Sequence, residues 1–476
     1  MRLYTVCAVA ARFYNNGILY NVLLRHAREA GLEAMLSSKS TATVQGFVIL
    51  ATWSQPSVSY ETDNAYLYAG IAIRLGVEIG LHRKIALRYP DNTEPHIKRM
   101  YVEEVLSRER TWFCVFILDR SMSALTGKPP QAPETYAIRD VDKWWRRSEC
   151  TLSDVFISAH AQLLRLLYRC FDVIYSCNDT FTGVSTGLNY QVVVKDLQWR
   201  LDEWAQIWAK NLRDFDAEQA NEEPLETYLS ILNLSRSFYN LVPLSFGLHH
   251  CTVDGFNRVD QISFVTRCYE CATRTLQVAT KELNPNRVFK VAPDICVIAV
   301  TYAACFLLKL IGPEFKHIFD EAVVLDLIKE TLSLLEKSSE DERHTHHLHA
   351  MFLRRHIDRY QAQDSSCIND APTQPGQQPP PQQQQHQHQQ QQPSFFVSNS
   401  MTDLGSTDVC IDVDGSINFP SLSGNGIIRP TADMSSDWID TVLGMQSRRD
   451  DPFSTGLQMA PWSGIFGNDF TTEGMF

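Results

Sequence analysis

Residues Glu103 to Pro130, EEVLSRERTWFCVFILDRSMSALTGKPP, restrict the fold more than any other stretch of the chain. From Trp112 to Leu118 every residue is apolar, so a helix here has no polar face and must be surrounded by other helices. Charges bracket that plug, Arg108 and Arg110 before it and Asp119 and Arg120 after it. Where they enter the core they need partners, because an unpaired buried charge costs several kcal/mol. We expect Asp119 to pair with an arginine of another helix, Arg74 or Arg83. Gly127 and then Pro129 end the helix.

The rest of the first 360 residues reads as helix after helix. Apolar residues three and four apart predict helices over 2–13, 18–36, 41–54, 62–79, 97–125, 153–177, 190–212, 225–246, 260–283, 292–311, 321–338 and 344–361. Leu197, Leu201, Trp204 and Trp208 make one such stripe, and it follows directly on the β-branched run Val192 to Val194. Gly80 and Leu81 read as a left-handed stop with a hydrophobic residue folding back, and His82 and Arg83 lie beside the free carbonyls. Gly76, inside the same helix, costs roughly 1 kcal/mol relative to Ala unless a close helix crossing uses the missing side chain. Lys128 to Asp142 reads as an extended, proline-containing connection. The fold class is all-α, a multi-helix domain over 1–362 followed by a disordered C-terminal tail.

Composition changes abruptly near Gln363. Residues 363–393 form a Pro- and Gln-rich linker, a tract with too little apolar surface to offset the entropy of ordering it. Residues 394–476 are acidic, rich in Gly and Ser and punctuated by aromatics. Of the net charge of -12, the segment from Asp364 onward supplies thirteen acidic against three basic residues, leaving the helical part near neutral. Neither part offers the basic surface that neutralises phosphates. Asp437 to Met445 (DWIDTVLGM) has the pattern of a short amphipathic helix that folds onto a partner's groove. The 12 cysteines show no disulfide spacing, which points to a reducing compartment. Met1 to Ala11 is too short for a secretory leader, and the longest apolar run, Ile295 to Leu308, is too short to span a bilayer, so no membrane is expected.

Convergent polar groups are few. Cys268 and Cys271 have C-x-x-C spacing, but no second pair accompanies them, and they read as buried helix cysteines. His344 and His347 in HTHHLH, with His346 and His349 between and beyond, have metal-ligand spacing; no Cys or carboxylate completes a set, and a solvated helix face is the expectation. His249, His250 and Cys251 read as packing at a helix end. Glu103 and Glu104 lack the apolar setting of an acid pair, and Glu104 is expected to support Arg108 one turn on. Nor is there a phosphate loop or a nucleophile elbow. No catalytic, cofactor-binding or metal-ligating residue is assigned, and the chain is read as a non-enzyme.

Three stretches in order carry a family resemblance: Thr43 to Ala51 (TVQGFVILA), Ala65 to Arg83 (AYLYAGIAIRLGVEIGLHR), and Arg108 to Pro129 with its Asp-Arg and Gly-Lys-Pro. Together they resemble the fungal-specific transcription factor domain, the regulatory middle region of binuclear zinc cluster (zinc-six-cysteine) regulators. The resemblance is strongest over 1–150. Phe113 stands where the family commonly has a second Trp, and Lys128 replaces an Arg and loses its planar fork. The six-cysteine cluster that binds zinc and DNA in that family does not occur in this sequence. The resemblance therefore implies a nuclear transcriptional regulator whose zinc and DNA contact belong to an N-terminal module outside this chain. Its implied partners are the transcription machinery or a coactivator, met through the tail, and a second copy or a related regulator. The alternatives are a non-DNA-binding dimerisation partner of a full-length relative and, remotely, an α-helical enzyme.

Overall fold

The computed structural model describes residues 1–369, except 15–16, 38, 58–62, 85–92, 179–182, 186, 220–223, 254–257, 286, 313–314, 316–317 and 343. The linker from 370, the tail and its amphipathic segment Asp437 to Met445 lie outside the described residues. Among those described, the chain is helical throughout with no strand. It begins with α1 (Arg2–Phe13), α2 (Gly17–Leu36), α3 (Thr41–Thr52), α4 (Ala65–Glu78) and α5 (Pro95–Thr126). Two single-turn helices follow, α6 (Tyr136–Arg139) and α7 (Val141–Trp144), then α8 (Leu152–Ile174), α9 (Tyr190–Gln219), α10 (Leu225–Val253) and α11 (Arg258–Gln277). A π-helical turn, Val278–Leu283, leads to α12 (Asp294–Leu310), α13 (Glu321–Ser338) and α14 (Thr345–Asn369). Val192 to Val194 belong to α9, where the Trp stripe sets the period.

Helix α5 lies at the centre, packed against α3, α4, α8 and α12. Trp112, Phe113, Val115 and Phe116 are all buried, as a helix apolar on every face requires. Its charges are partnered. Arg110 meets Asp154 through two bonds of 2.6 Å, and Asp154 also closes the capping box of α8 with Thr151. Glu109 accepts from Trp144 Nε1 at 2.7 Å and from Arg147 at 2.6 Å, tying α5 to α7. Arg120 stacks on Phe116 and Tyr168 and donates to the Ala132 carbonyl. Gly127 ends the helix in the left-handed region at φ 66°.

Four expectations are corrected. Asp119 does not meet Arg74 or Arg83, which are exposed; it accepts from the backbone amides of Gln131 and Ala132. Arg108 ignores Glu104 and donates to the Ile79 carbonyl at 2.7 Å, so a residue of α5 serves the C-terminus of α4. Lys128 to Asp142 is not extended throughout, because the chain makes α6 and the start of α7 there, with Ile138 and Val141 buried beneath. The helices over 190–212 and 225–246 run on to Gln219 and Val253, the second passing through Pro243.

Of the two readings of Gly76, the close crossing holds: a Cβ there would lie 3.3 Å from the Trp112 ring. Leu81 N–H donates to the Gly76 carbonyl, Gly80 has φ 73°, and Leu81 is buried, which is the stop that the sequence predicts. Lys128 stands 4.4 Å from the Tyr66 ring centroid, and Phe113 packs edge-on against Trp144 at 4.7 Å. Residues 1–365 pack as one unit around a continuous apolar cluster from Ala8 to Ile357.

Candidate functional site

Beside the midpoint of α5 the close packing opens into a cavity of about 460 Å³. Helix α5 turns Cys114, Ile117, Leu118 and Ser121 toward it, and the first two of these are only partly buried. Opposite stand Phe156, Ile157 and His160 of α8 and Tyr228, Phe238 and Tyr239 of α10. Val48 and Trp53 from the end of α3, and Pro293 and Cys296 from the start of α12, close the remaining sides. Trp53 is fixed by its indole N–H, which donates to the Val291 carbonyl at 3.1 Å. No Asp, Glu, Lys or Arg lines the space.

The polar groups at its wall are few and held. Tyr239 donates to Ser121 Oγ at 2.7 Å, and burial pushes its phenol up. Phe156 stacks on Tyr228 at 4.8 Å and meets the His160 ring edge-on at 5.9 Å. His160 is the exception: its Nε2 is buried and has no hydrogen-bond partner. Burial lowers its pKa to about 4, so at neutral pH the imidazole is uncharged, with one donor and one acceptor nitrogen. The thiols of Cys114 and Cys296 are raised to about 11 and about 12, chiefly by burial. Neutral thiols and an uncharged histidine form no activated nucleophile, so this arrangement suits binding rather than covalent catalysis.

Residues singled out from their spacing lie elsewhere. Cys268 and Cys271 sit in α11, where burial pushes the first thiol well up and the second to about 11; Asn240 donates to Cys271 Sγ. They are core cysteines, as their helical spacing implied. His250 packs on Tyr190 at 4.8 Å, and Cys251 is buried.

The histidine cluster is corrected. His344, His346 and His349 are buried rather than solvated, and only His347 stays partly open. His344 Nδ1 accepts from the Glu340 amide at 2.7 Å, so its Nε2 carries the proton and donates to the Arg12 carbonyl at 3.0 Å. His346 Nε2 reaches the Phe289 carbonyl at 3.0 Å. The cluster thus anchors the start of α14 to α1, close to the Arg12 and Asp294 pair at 3.7 Å. Among the described residues no group of three or more His, Cys, Asp or Glu could hold a metal ion. Nor is any helix there long and apolar enough to cross a membrane.

Residues 2–140, α1 to α6, match a known family model. It is the fungal specific transcription factor domain. The matched span includes α3 and α5, two walls of the cavity, while α8, α10 and α12 lie beyond it. Protein priB of Lentinula edodes is 27% identical over 277 residues, 58% of this chain and 44% of its own. The transcriptional activator of proteases prtT of Emericella nidulans is 22% identical over 312 residues, 64% of this chain and 45% of its own. The transcriptional regulatory protein SEF1 of Candida albicans is 23% identical over 304 residues, 61% of this chain and 29% of its own. The chain therefore spans less than half the length of each of these relatives, and the likeness continues beyond the domain into the later helices. No solved structure matches the chain.

Proposed function

We propose that this chain is the regulatory part of a nuclear transcriptional regulator. The observation that carries the reading is the match of residues 2–140 to the fungal specific transcription factor domain, and relatives named as transcriptional regulators support it. In this reading the helical unit receives a signal and the acidic, aromatic segment 394–476 engages the transcription machinery. The near-neutral charge of the helical part argues that zinc-dependent DNA contact comes from a module outside residues 1–476. Fusing residues 394–476 to a heterologous DNA-binding domain in yeast tests the tail. Reporter activation above background is expected; a silent fusion removes that role.

A second reading is association with a full-length relative, without DNA contact by this chain. Exposed apolar residues on α1 and α2 favour it, among them Leu3, Ile18, Leu32 and Leu36. Electrophoretic mobility shift of the purified chain, alone and mixed with such a relative, separates the two: a supershift only in the mixture supports association.

A further inference from the structure

We propose that the cavity between α3, α5, α8, α10 and α12 is a binding site for an uncharged lipophilic molecule carrying a hydroxyl or carbonyl group, with His160 as its hydrogen-bond partner. The proposal deepens the regulatory reading and rests on it for the consequence of binding, though not for binding itself.

Size comes first. A space of about 460 Å³ falls within the roughly 300–1,000 Å³ of pockets that take drug-sized ligands. Protein interiors are otherwise packed like organic crystals, so the lining forfeits dispersion contacts that an occupant restores.

Charge narrows the class. With no ionised side chain in the wall, a carboxylate, phosphate or ammonium group entering the cavity loses its hydration and gains no counter-charge. Amino acids, organic acids and nucleotides are therefore disfavoured. An uncharged molecule meets aromatic and aliphatic surface from Phe156, Ile157, Phe238 and Trp53.

His160 supplies the specificity. A buried polar atom without a partner is costly, and the Nε2 of this residue is such an atom. Tyr239 and Ser121 satisfy each other, and His160 lines the cavity, so a turn of its ring brings the unpartnered Nε2 to a polar group on the ligand. A hydroxyl suits either tautomer and a carbonyl suits the one with the proton on Nε2.

Location gives the consequence. The occupant touches α3 and α5 of the matched span and α8, α10 and α12 beyond it, so its binding stabilises their packing together. That differential contact is what a ligand needs to shift a conformational equilibrium.

The test uses the purified full chain and the uncharged dye Nile red. Saturable binding is expected, with one dye per chain. 1-Dodecanol should displace it, and dodecanoate at neutral pH should be at least about tenfold weaker because its charge is stranded. His160→Phe should weaken 1-dodecanol by about tenfold, the loss of one buried hydrogen bond. Ala299→Phe, which fills the cavity from α12, should abolish dye binding; where circular dichroism shows that it has not folded, Ser235→Leu from α10 takes its place. Absent saturation, equal competition by dodecanoate, or undiminished dye binding in a folded cavity-filling variant each overturns the site. No dye binding with an active tail fusion would sink the site alone, whereas saturable binding with a silent fusion would sink only the role given to the tail.

Discussion

Both carboxylate oxygens of Asp119, a residue 2% exposed, accept from backbone N–H groups: Oδ2 from the Ala132 amide at 2.8 Å and the Gln131 amide at 3.0 Å, and Oδ1 from the same Gln131 amide at 3.1 Å. Burial raises its pKa, and these two amides oppose the rise. Its role is to hold the turn after α5 against the helix. Asp119→Ala strands two amides, each worth about 1–3 kcal/mol when unsatisfied, so a loss of about 3 kcal/mol is expected in urea unfolding. Arg74→Ala and Arg83→Ala should stay within about 0.5 kcal/mol, since both side chains are exposed. Equal losses in either arginine variant would restore the ion-pair reading. That Asp119 needs a partner was legible in the sequence; which partner was not, because backbone amides twelve and thirteen residues on leave no mark in residue identities. His160 was equally hidden, since one histidine on an apolar helix face reads as core.

At the level of elements, the helix signals were strong where an apolar stripe repeats, as from Leu197 to Trp208, all of whose stripe residues are buried. They failed at Tyr136 to Trp144, where helices of one turn are too short to show a period. The crossing of α10 and α11 depends on Gly247, where a Cβ would stand 2.3 Å from the fully buried Phe264 ring. Alanine gains up to about 1 kcal/mol of helix propensity, while overpacking costs about 1–3 kcal/mol. At 2.3 Å the overlap wins, because a ring with no exposed surface has nowhere to swing. Gly247→Ala should therefore lower the melting temperature, and Phe264→Leu should recover part of the loss in the double variant. Additive losses would show that the crossing is loose.

Across the whole molecule, burial of histidines predicts sensitivity to acid. His346 and His349, both 1% exposed, are lowered by burial to about 4 and about 3, and His160 and His356 to about 4. In the unfolded chain they titrate near 6.5, so below that pH the unfolded state binds protons that the native state refuses. Stability is therefore full above about pH 6.5 and falls toward pH 4, by about 2 kcal/mol per fully buried histidine at pH 5. Asp294, raised by burial to about 6, and Asp119, also raised by burial, act in the opposite sense but are two groups against four. Urea midpoints at about pH 7 and pH 5 check the balance; equal midpoints would contradict it. The sequence by itself determined that the chain is helical, that α5 is its centre, and which family its first third resembles. Apolar period, stop residues and bracketing charges act locally, so they survive in one dimension. Only the tertiary structure decided that the histidines near Thr345 anchor α14 to α1, and that four helices stop short of closing around α5. A void is a property of how surfaces meet, and no residue encodes it alone.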